Sequence, residues 1–169
     1  SVLDPSVSDV VAQLKRRRGG GPDLLAFKDG RAWVDVRSDD INAYIREQTG
    51  GDFTAKDFRT WSATVLASVA MASSFPQARS RTARARAITR AVKEVAHYLG
   101  NTPAVCRASY IDPRVFDRYR SGLTIAGALE QLGEVGELGE PAHQGPVEEA
   151  VLDLIEDKHG PALELDLIA

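Results

Sequence analysis

Two stretches of about twenty residues, 54–74 and 81–99, place apolar side chains at three- and four-residue spacing, the repeat of one face of an α-helix. Pro76 separates the two stretches, and a glycine follows the second where a helix usually ends. Between two short apolar runs near the N-terminus, Asp29-Gly30 indicates a hairpin. The sequence therefore predicts a mainly α-helical domain with one small β-hairpin.

The same start and stop signals predict shorter helices on both sides of the two long ones. The predicted helical segments are 4–18, 38–48, 54–74, 81–99, 103–110, 112–119, 124–132 and 146–157. The side chains expected in the core of the two long helices are Phe58, Trp61, Val65, Val69, Ile88, Val92, Val95 and Leu99.

The charge is unevenly distributed, although the net value is only −3. Residues 1–120 hold 20 Lys/Arg against 13 Asp/Glu, whereas residues 121–169 hold one basic residue against 11 acidic ones. A polyanion is attracted by the first part and repelled by the second. We therefore divide the chain into a basic body, 1–122, and an acidic extension, 123–169, in which a Gly- and Glu-rich linker at 134–145 precedes the last helix.

Cysteine content and hydropathy bear on location. The single cysteine, Cys106, excludes a disulfide within the chain, in agreement with a reducing compartment. No stretch approaches the roughly 20 apolar residues of a membrane span, and no signal-peptide pattern is present. We expect a cytoplasmic, nucleoid-associated protein with no membrane partner.

Two segments resemble a known family. They read FTAKDFRTW at 53–61 and LGNTPAVCRASYI at 99–111. Both are similar to bacterial and poxviral type IB DNA topoisomerases, in the same order and at similar separation, and the resemblance runs from about residue 4 to 123. It implies the helical fold of DNA breaking-rejoining enzymes, with this chain as the C-terminal, tyrosine-bearing part of the catalytic domain.

The resemblance also implies roles for three residues. In that family two arginines, a lysine, a histidine or asparagine, and a tyrosine surround one phosphate. Arg59 matches the second arginine, Asn101 the histidine-or-asparagine, and Tyr110 the nucleophile. The lysine and the first arginine have no convincing counterpart, because the surroundings of Lys28 resemble the segment after the lysine hairpin. We therefore expect this chain alone to be nearly inactive.

The implied reaction relaxes supercoiled DNA. Tyr110 attacks a phosphodiester and becomes linked to the 3′ phosphate, and religation reverses the step without ATP. No cofactor is implied, and the three histidines do not lie at metal-ligand spacing. The expected partner is double-stranded DNA, bound by a monomer.

Five basic residues are candidates for contacts with DNA. Lys56 shares a helix face with Arg59, and further cations lie on the second long helix and on the tyrosine motif. These candidates are Lys56, Arg86, Arg90, Lys93 and Arg107. The alternative for each is a solvated surface residue.

Structural roles compete with the catalytic ones. A tyrosine is usually a half-buried packing residue, Arg59 could form a surface ion pair, and Asn101 could cap a helix. Cys106 is expected to be a buried, inert thiol. Two other functions remain open: a tyrosine recombinase or integrase, and a non-enzymatic helical module that binds DNA or protein. Recombinases usually carry His-x-x-Arg where this chain has a lysine three residues before Arg59, which favours the topoisomerase.

Overall fold

The structure, a computed structural model, describes residues 5–133 and 141–157. Within these residues the main chain forms eight α-helices and one antiparallel pair of strands, as predicted. The elements are α1 (Pro5–Arg16), β1 (Ala26–Asp29), β2 (Ala32–Asp35), α2 (Ser38–Thr49), α3 (Ala55–Ser74), α4 (Arg81–Leu99), α5 (Pro103–Ser109), α6 (Pro113–Arg120), α7 (Ala126–Gly133) and α8 (Pro141–Glu156). A single 3-10 turn, Phe75–Gln77, separates α3 from α4.

Most element bounds lie within two residues of their predicted positions, and α8 is the exception. It begins at Pro141 instead of 146, so the end of the predicted linker is helical. Residues 134–140 of that linker lie outside the described residues. No helix in the described part of the chain has the length and apolar character needed to cross a membrane.

The first of two compact units comprises Ser1–Ala55 and contains α1, the hairpin and α2. The hairpin pairs Phe27 with Val34, and Gly30, at φ 57°, begins its two-residue turn. Arg17 stabilises this unit, because its guanidinium donates to the Leu24 carbonyl at 2.6 Å and forms a largely buried ion pair with Asp35. Arg17 therefore has a structural role here.

The second unit, Lys56–Ala169, holds the hydrophobic core. In it α4 packs against α5 and α6, and α8 packs against α6 and α7. The apolar side chains of α8 that are buried against this core are Val147, Val151, Leu154 and Ile155. The boundary predicted at residue 122 falls between α6 and α7, inside this unit, and a separate role for 123–169 stays a prediction.

The predicted core face of α3 was partly wrong. Phe58 is 53% exposed, and Trp61, Val65 and Val69 are only partly buried. Apart from Met71, small side chains occupy the buried face instead, and they allow the helix backbone to approach its neighbours closely. The buried residues are Ala63, Thr64, Ala67, Ser68, Met71, Ala72 and Ser74. On α4 the prediction is confirmed for Ile88, Val92 and Val95, whereas Leu99 is partly buried.

Candidate active site

Tyr110 lies at the end of α5, on the short connection that leads into α6. α5 begins well capped, because the Thr102 hydroxyl accepts a main-chain N–H from the next turn and Pro103 occupies the first helical position. At the other end, the Tyr110 N–H donates to the Cys106 carbonyl at 3.0 Å, and Asp112 is the N-cap of α6. The main chain that carries the Tyr110 side chain is therefore held on both sides.

Arg59 reaches Tyr110 from the first turns of α3. Its guanidinium carbon lies 5.2 Å from the centroid of the Tyr110 ring. Its Nη2 donates to the main-chain carbonyl of Leu99 at 3.1 Å. A guanidinium has five N–H donors, and the Arg59 side chain is exposed, so donors remain for an oxygen ligand from outside.

Asn101 follows the glycine that ends α4. Gly100 has φ 68°, a left-handed conformation that a residue with a side chain rarely adopts. The Asn101 main-chain N–H donates to the Ala96 carbonyl at 2.9 Å, which closes the helix end. Its side-chain Nδ2 donates to the Leu99 carbonyl at 3.3 Å. Asn101 and Arg59 thus share one acceptor, and the structure brings all three predicted catalytic residues together.

The four tyrosines have different surroundings. Tyr119 is fully buried, with its hydroxyl 3.2 Å from the hydroxyl of Ser74. Tyr44 and Tyr98 are 63% and 72% exposed. Tyr110 is half-buried, and among the described tyrosines it is the one with a guanidinium against its ring. Tyr110 therefore combines partial exposure with a neighbouring cation, which the other three described tyrosines do not.

Two groups close to Tyr110 in sequence have shifted pKa values. Burial raises the pKa of the Cys106 thiol, which disfavours the nucleophilic thiolate and agrees with an inert thiol. Hydrogen bonds from Arg114 lower the pKa of the Asp112 carboxyl, and this effect exceeds the opposing effect of burial. Asp112 is therefore ionised at neutral pH, and its carboxylate accepts the N–H of Arg114 at the start of α6.

The predicted DNA-binding residues are exposed and carry no counter-charge within the described part of the chain. Arg86, Arg90 and Lys93 follow one face of α4, and Lys56 lies on α3. None of these four side chains makes a hydrogen bond or ion pair with a described residue. Arg107 stacks on the ring of Phe116, with its guanidinium carbon 4.5 Å from the centroid. Lys93 and Arg107 also line an open groove of about 460 Å³.

The arginines of α6 differ from these. Arg114 pairs with Asp112 at 2.7 Å, and Arg120 pairs with Asp117 at 2.6 Å. Arg118 pairs with Asp157 at 2.9 Å. The cations of this unit are therefore divided between α6, where each has a carboxylate, and α3 to α5, where the candidates above have none among the described residues.

The lysine and first arginine of the resembled family remain without a counterpart. Lys28 lies 5.6 Å from the centroid of the Trp33 ring, a contact inside the first unit. Among the side chains that the structure describes, no group of three or more His, Cys, Asp or Glu is arranged to hold a metal ion.

Sequence reasoning missed one residue of this region, Thr64. Its hydroxyl accepts the main-chain N–H of Asp112 at 3.1 Å, across 48 positions of sequence. No local pattern marks it, because a threonine in the middle of a long helix is indistinguishable from any other polar position.

Comparisons with known proteins agree with the predicted class. The family described as "Eukaryotic DNA topoisomerase I, catalytic core" matches residues 2–133, most of the chain. A protein named DNA topoisomerase 1B from Acanthamoeba polyphaga mimivirus is 35% identical over 91 residues, which cover 51% of this chain. The same residues cover only 26% of the mimivirus protein, so this chain matches about a quarter of that relative. From the extent of the family match, this chain belongs to the type IB DNA topoisomerase family.

Proposed function

We propose that the protein relaxes supercoiled DNA by transient cleavage of one strand, and that this chain supplies the nucleophile. The observation that carries the proposal is the guanidinium of Arg59 placed 5.2 Å from the ring of Tyr110. The two residues come from helices separated by the whole of α4, so their meeting is a property of the fold. It agrees with the resemblance of both motifs to bacterial and poxviral enzymes, and the narrower assignment to that group is part of the proposal.

The reaction follows from the groups present. The Tyr110 hydroxyl loses its proton as its oxygen attacks the phosphorus, a bond forms between oxygen and phosphorus, and the bond from phosphorus to the 5′ oxygen breaks. The departing 5′ oxygen takes a proton, and the 3′ phosphate stays on the tyrosine. Attack by the 5′ hydroxyl reverses every step, so the bond energy is retained and no ATP is consumed.

Arg59 and Asn101 stabilise the phosphate during this exchange. A guanidinium presents a planar fork of donors that matches two phosphate oxygens. Asn101 donates a neutral N–H to a non-bridging oxygen, which is weaker than the charged contact of a histidinium but does not titrate near neutral pH. Both donors are directed at the same carbonyl oxygen, that of Leu99, so they converge on one point.

The set of catalytic groups matched in this chain is incomplete. No residue here has been matched to the lysine that would protonate the 5′ oxygen, or to the first arginine. We therefore expect the 169-residue chain alone to be nearly inactive in plasmid relaxation, while the full-length protein is active. Robust relaxation by this chain alone would mean that both groups lie within it.

The distribution of charge supports a DNA duplex as substrate. Residues 56–120 hold 12 Lys/Arg and 4 Asp/Glu. When unpaired cations of a protein neutralise DNA phosphates, counterions are released from the DNA, and this release favours binding. The arginines of α6 are already paired with carboxylates, so they contribute little to such binding. We place the DNA backbone along the exposed cations of α3, α4 and α5. The residues in this surface are Lys56, Arg86, Arg90, Lys93 and Arg107.

The test is a pair of tyrosine variants in the full-length protein. Tyr110→Phe should bind DNA as the unaltered protein does, form no covalent adduct on a denaturing gel and relax no plasmid. Tyr98→Phe is the matched control, since that side chain is 72% exposed and should be dispensable. An adduct that survives in Tyr110→Phe would reassign the nucleophile, and no adduct even in the unaltered protein would favour a non-enzymatic DNA-binding module.

A second assay separates the topoisomerase from a recombinase. Relaxation of plasmids with no required site supports the proposal. Exchange between two defined sites, without general relaxation, would support the recombinase.

A further inference from the structure

The main chain on the far side of Tyr110 is held by a side chain from α3. The N–H of Asp112, two residues after the nucleophile, donates to the hydroxyl oxygen of Thr64 at 3.1 Å. Ile111, between them, is 4% exposed and belongs to the hydrophobic core. The position of Tyr110 is thus set on this side by one buried side chain and one hydrogen bond.

The Thr64 hydroxyl has a partner for its donor and for an acceptor lone pair. It accepts the N–H of Asp112, since a main-chain amide can only donate, and it donates its single proton to the Thr60 carbonyl at 2.8 Å. Thr64 is 2% exposed, and water therefore has little access to replace either partner. Two hydrogen bonds therefore connect the Asp112 N–H to the Thr64 hydroxyl and the Thr64 hydroxyl to the Thr60 carbonyl.

Two other hydroxyls of α3 contact only their own helix in the described structure. Thr60 donates to the Lys56 carbonyl at 2.9 Å, and Ser68 donates to the Thr64 carbonyl at 2.9 Å. Donation to the carbonyl four residues earlier is the ordinary way in which a helix satisfies a buried hydroxyl. Thr64 differs from these two because it also accepts a hydrogen bond from outside its helix.

Thr64 and Arg59 stand on the same helix, five positions apart. A helix rises about 1.5 Å per residue, so Arg59 and Thr64 are roughly 7.5 Å apart along the axis of α3. One contacts the ring of Tyr110, and the other holds the main chain two residues after it. We propose that Thr64 is a positioning residue, whose hydroxyl keeps the Tyr110 oxygen in register with Arg59 for attack on phosphate. This inference rests on the proposed function.

The test compares variants of the full-length protein that differ by one hydroxyl. Thr64→Val keeps the shape and removes the hydroxyl, and Thr64→Ser keeps the hydroxyl. Ser68→Ala is the matched control, since Ser68 is equally buried and its hydroxyl contacts only its own helix in the described structure. We would measure single-turnover adduct formation at saturating DNA, DNA affinity, and the unfolding temperature.

We expect adduct formation by Thr64→Val to slow by about 10- to 100-fold, because a displacement of order 1 Å at a reacting group can cost about that much. Affinity for DNA should not change. Thr64→Ser should recover to within about threefold of the unaltered protein. Ser68→Ala should keep its rate despite a comparable fall in unfolding temperature.

A substrate with sulfur in place of the 5′ oxygen gives an independent measurement, since a thiolate leaves without a proton. Adduct formation by Thr64→Val should remain slow on this substrate, because the loss of rate comes from displacement of the nucleophile. Recovery of the rate on this substrate would overturn the inference, as would a Thr64→Val rate equal to that of the unaltered protein.

If Thr64→Val does not fold, Thr64→Ala and Thr64→Ser are compared, since they differ only in the hydroxyl. Equal rates in that pair would also overturn it. An unaltered protein that forms no adduct contradicts the proposed function instead.

Discussion

Replacement of Arg59 should affect catalysis and stability to very different extents, and the structure gives a reason for each effect. The side chain is exposed, and its polar contact in the described structure is one hydrogen bond to the Leu99 carbonyl, which water can replace. Such a bond contributes about 0.5–1.5 kcal/mol, and less where solvent substitutes for it. Arg59→Ala should therefore lower the free energy of unfolding by less than about 1 kcal/mol.

The effect on the reaction should be much larger. Removal of one preorganised donor to a developing oxyanion typically costs about 2.7–4 kcal/mol, or about 100- to 1,000-fold in rate. We expect that loss for adduct formation by Arg59→Ala in the full-length protein at saturating DNA. Arg59→Lys keeps the charge but loses the fork that can contact Leu99 and a phosphate together, so we expect a decrease of about 10- to 100-fold.

Arg86→Ala provides the control for loss of a positive charge. Arg86 is exposed on α4 and has no described partner, so its replacement should weaken DNA binding and reduce the salt slope by about one. Its rate at saturating DNA should stay unchanged. If Arg59→Ala reacts within about threefold of the unaltered protein under the same conditions, Arg59 is not in the site and the reasoning from its geometry is refuted.

Two further predictions concern stability. Tyr119→Phe removes a buried hydroxyl that contacts Ser74 and keeps the ring that packs edge-on against Phe75, so thermal unfolding should show a loss of about 1–2 kcal/mol with adduct formation unchanged. The pKa of Asp112 is lowered from 3.8 by its hydrogen bonds with Arg114, so the stability it contributes is present above the unfolded-state pKa and is lost as pH falls through the lower folded-state value. Arg114→Ala should therefore lower stability at neutral pH and flatten its acid dependence below about pH 4, and an unaltered acid profile in denaturant titrations would contradict this.

Local signals were sufficient to predict the elements of this fold. Thr102, Asp112 and Gly100 act at helix ends through contacts within a few residues, so their effects are visible in the sequence. The buried face of α3 was not visible in the same way. Its large apolar residues flank a stripe of small ones, and a count of hydrophobic side chains gives that stripe too little weight.

The site depended on a different kind of inference. Periodicity alone gave no reason to join Arg59 with Tyr110, and their pairing came from the resemblance of two motifs. The structure places Arg59 against the ring of Tyr110 and gives Arg59 and Asn101 a common acceptor. The hydrogen bond between Thr64 and Asp112 was beyond either approach, because it joins a helix interior to a helix cap across 48 positions, and only the packed fold brings them within 3.1 Å.

The shared acceptor of Arg59 and Asn101 explains how a site with a neutral amide can still be oriented for an anion. A carbonyl oxygen has two lone pairs, and Leu99 lies at the C-terminal end of α4, where the helix dipole adds partial negative charge. It therefore attracts both donors and aligns them without cancelling the full charge of Arg59, as a carboxylate would. In the proposed reaction a phosphate oxygen of the DNA, which carries more negative charge than this carbonyl, would take over both donors. The electrostatic cost of that exchange is small because no ion pair has to be broken first.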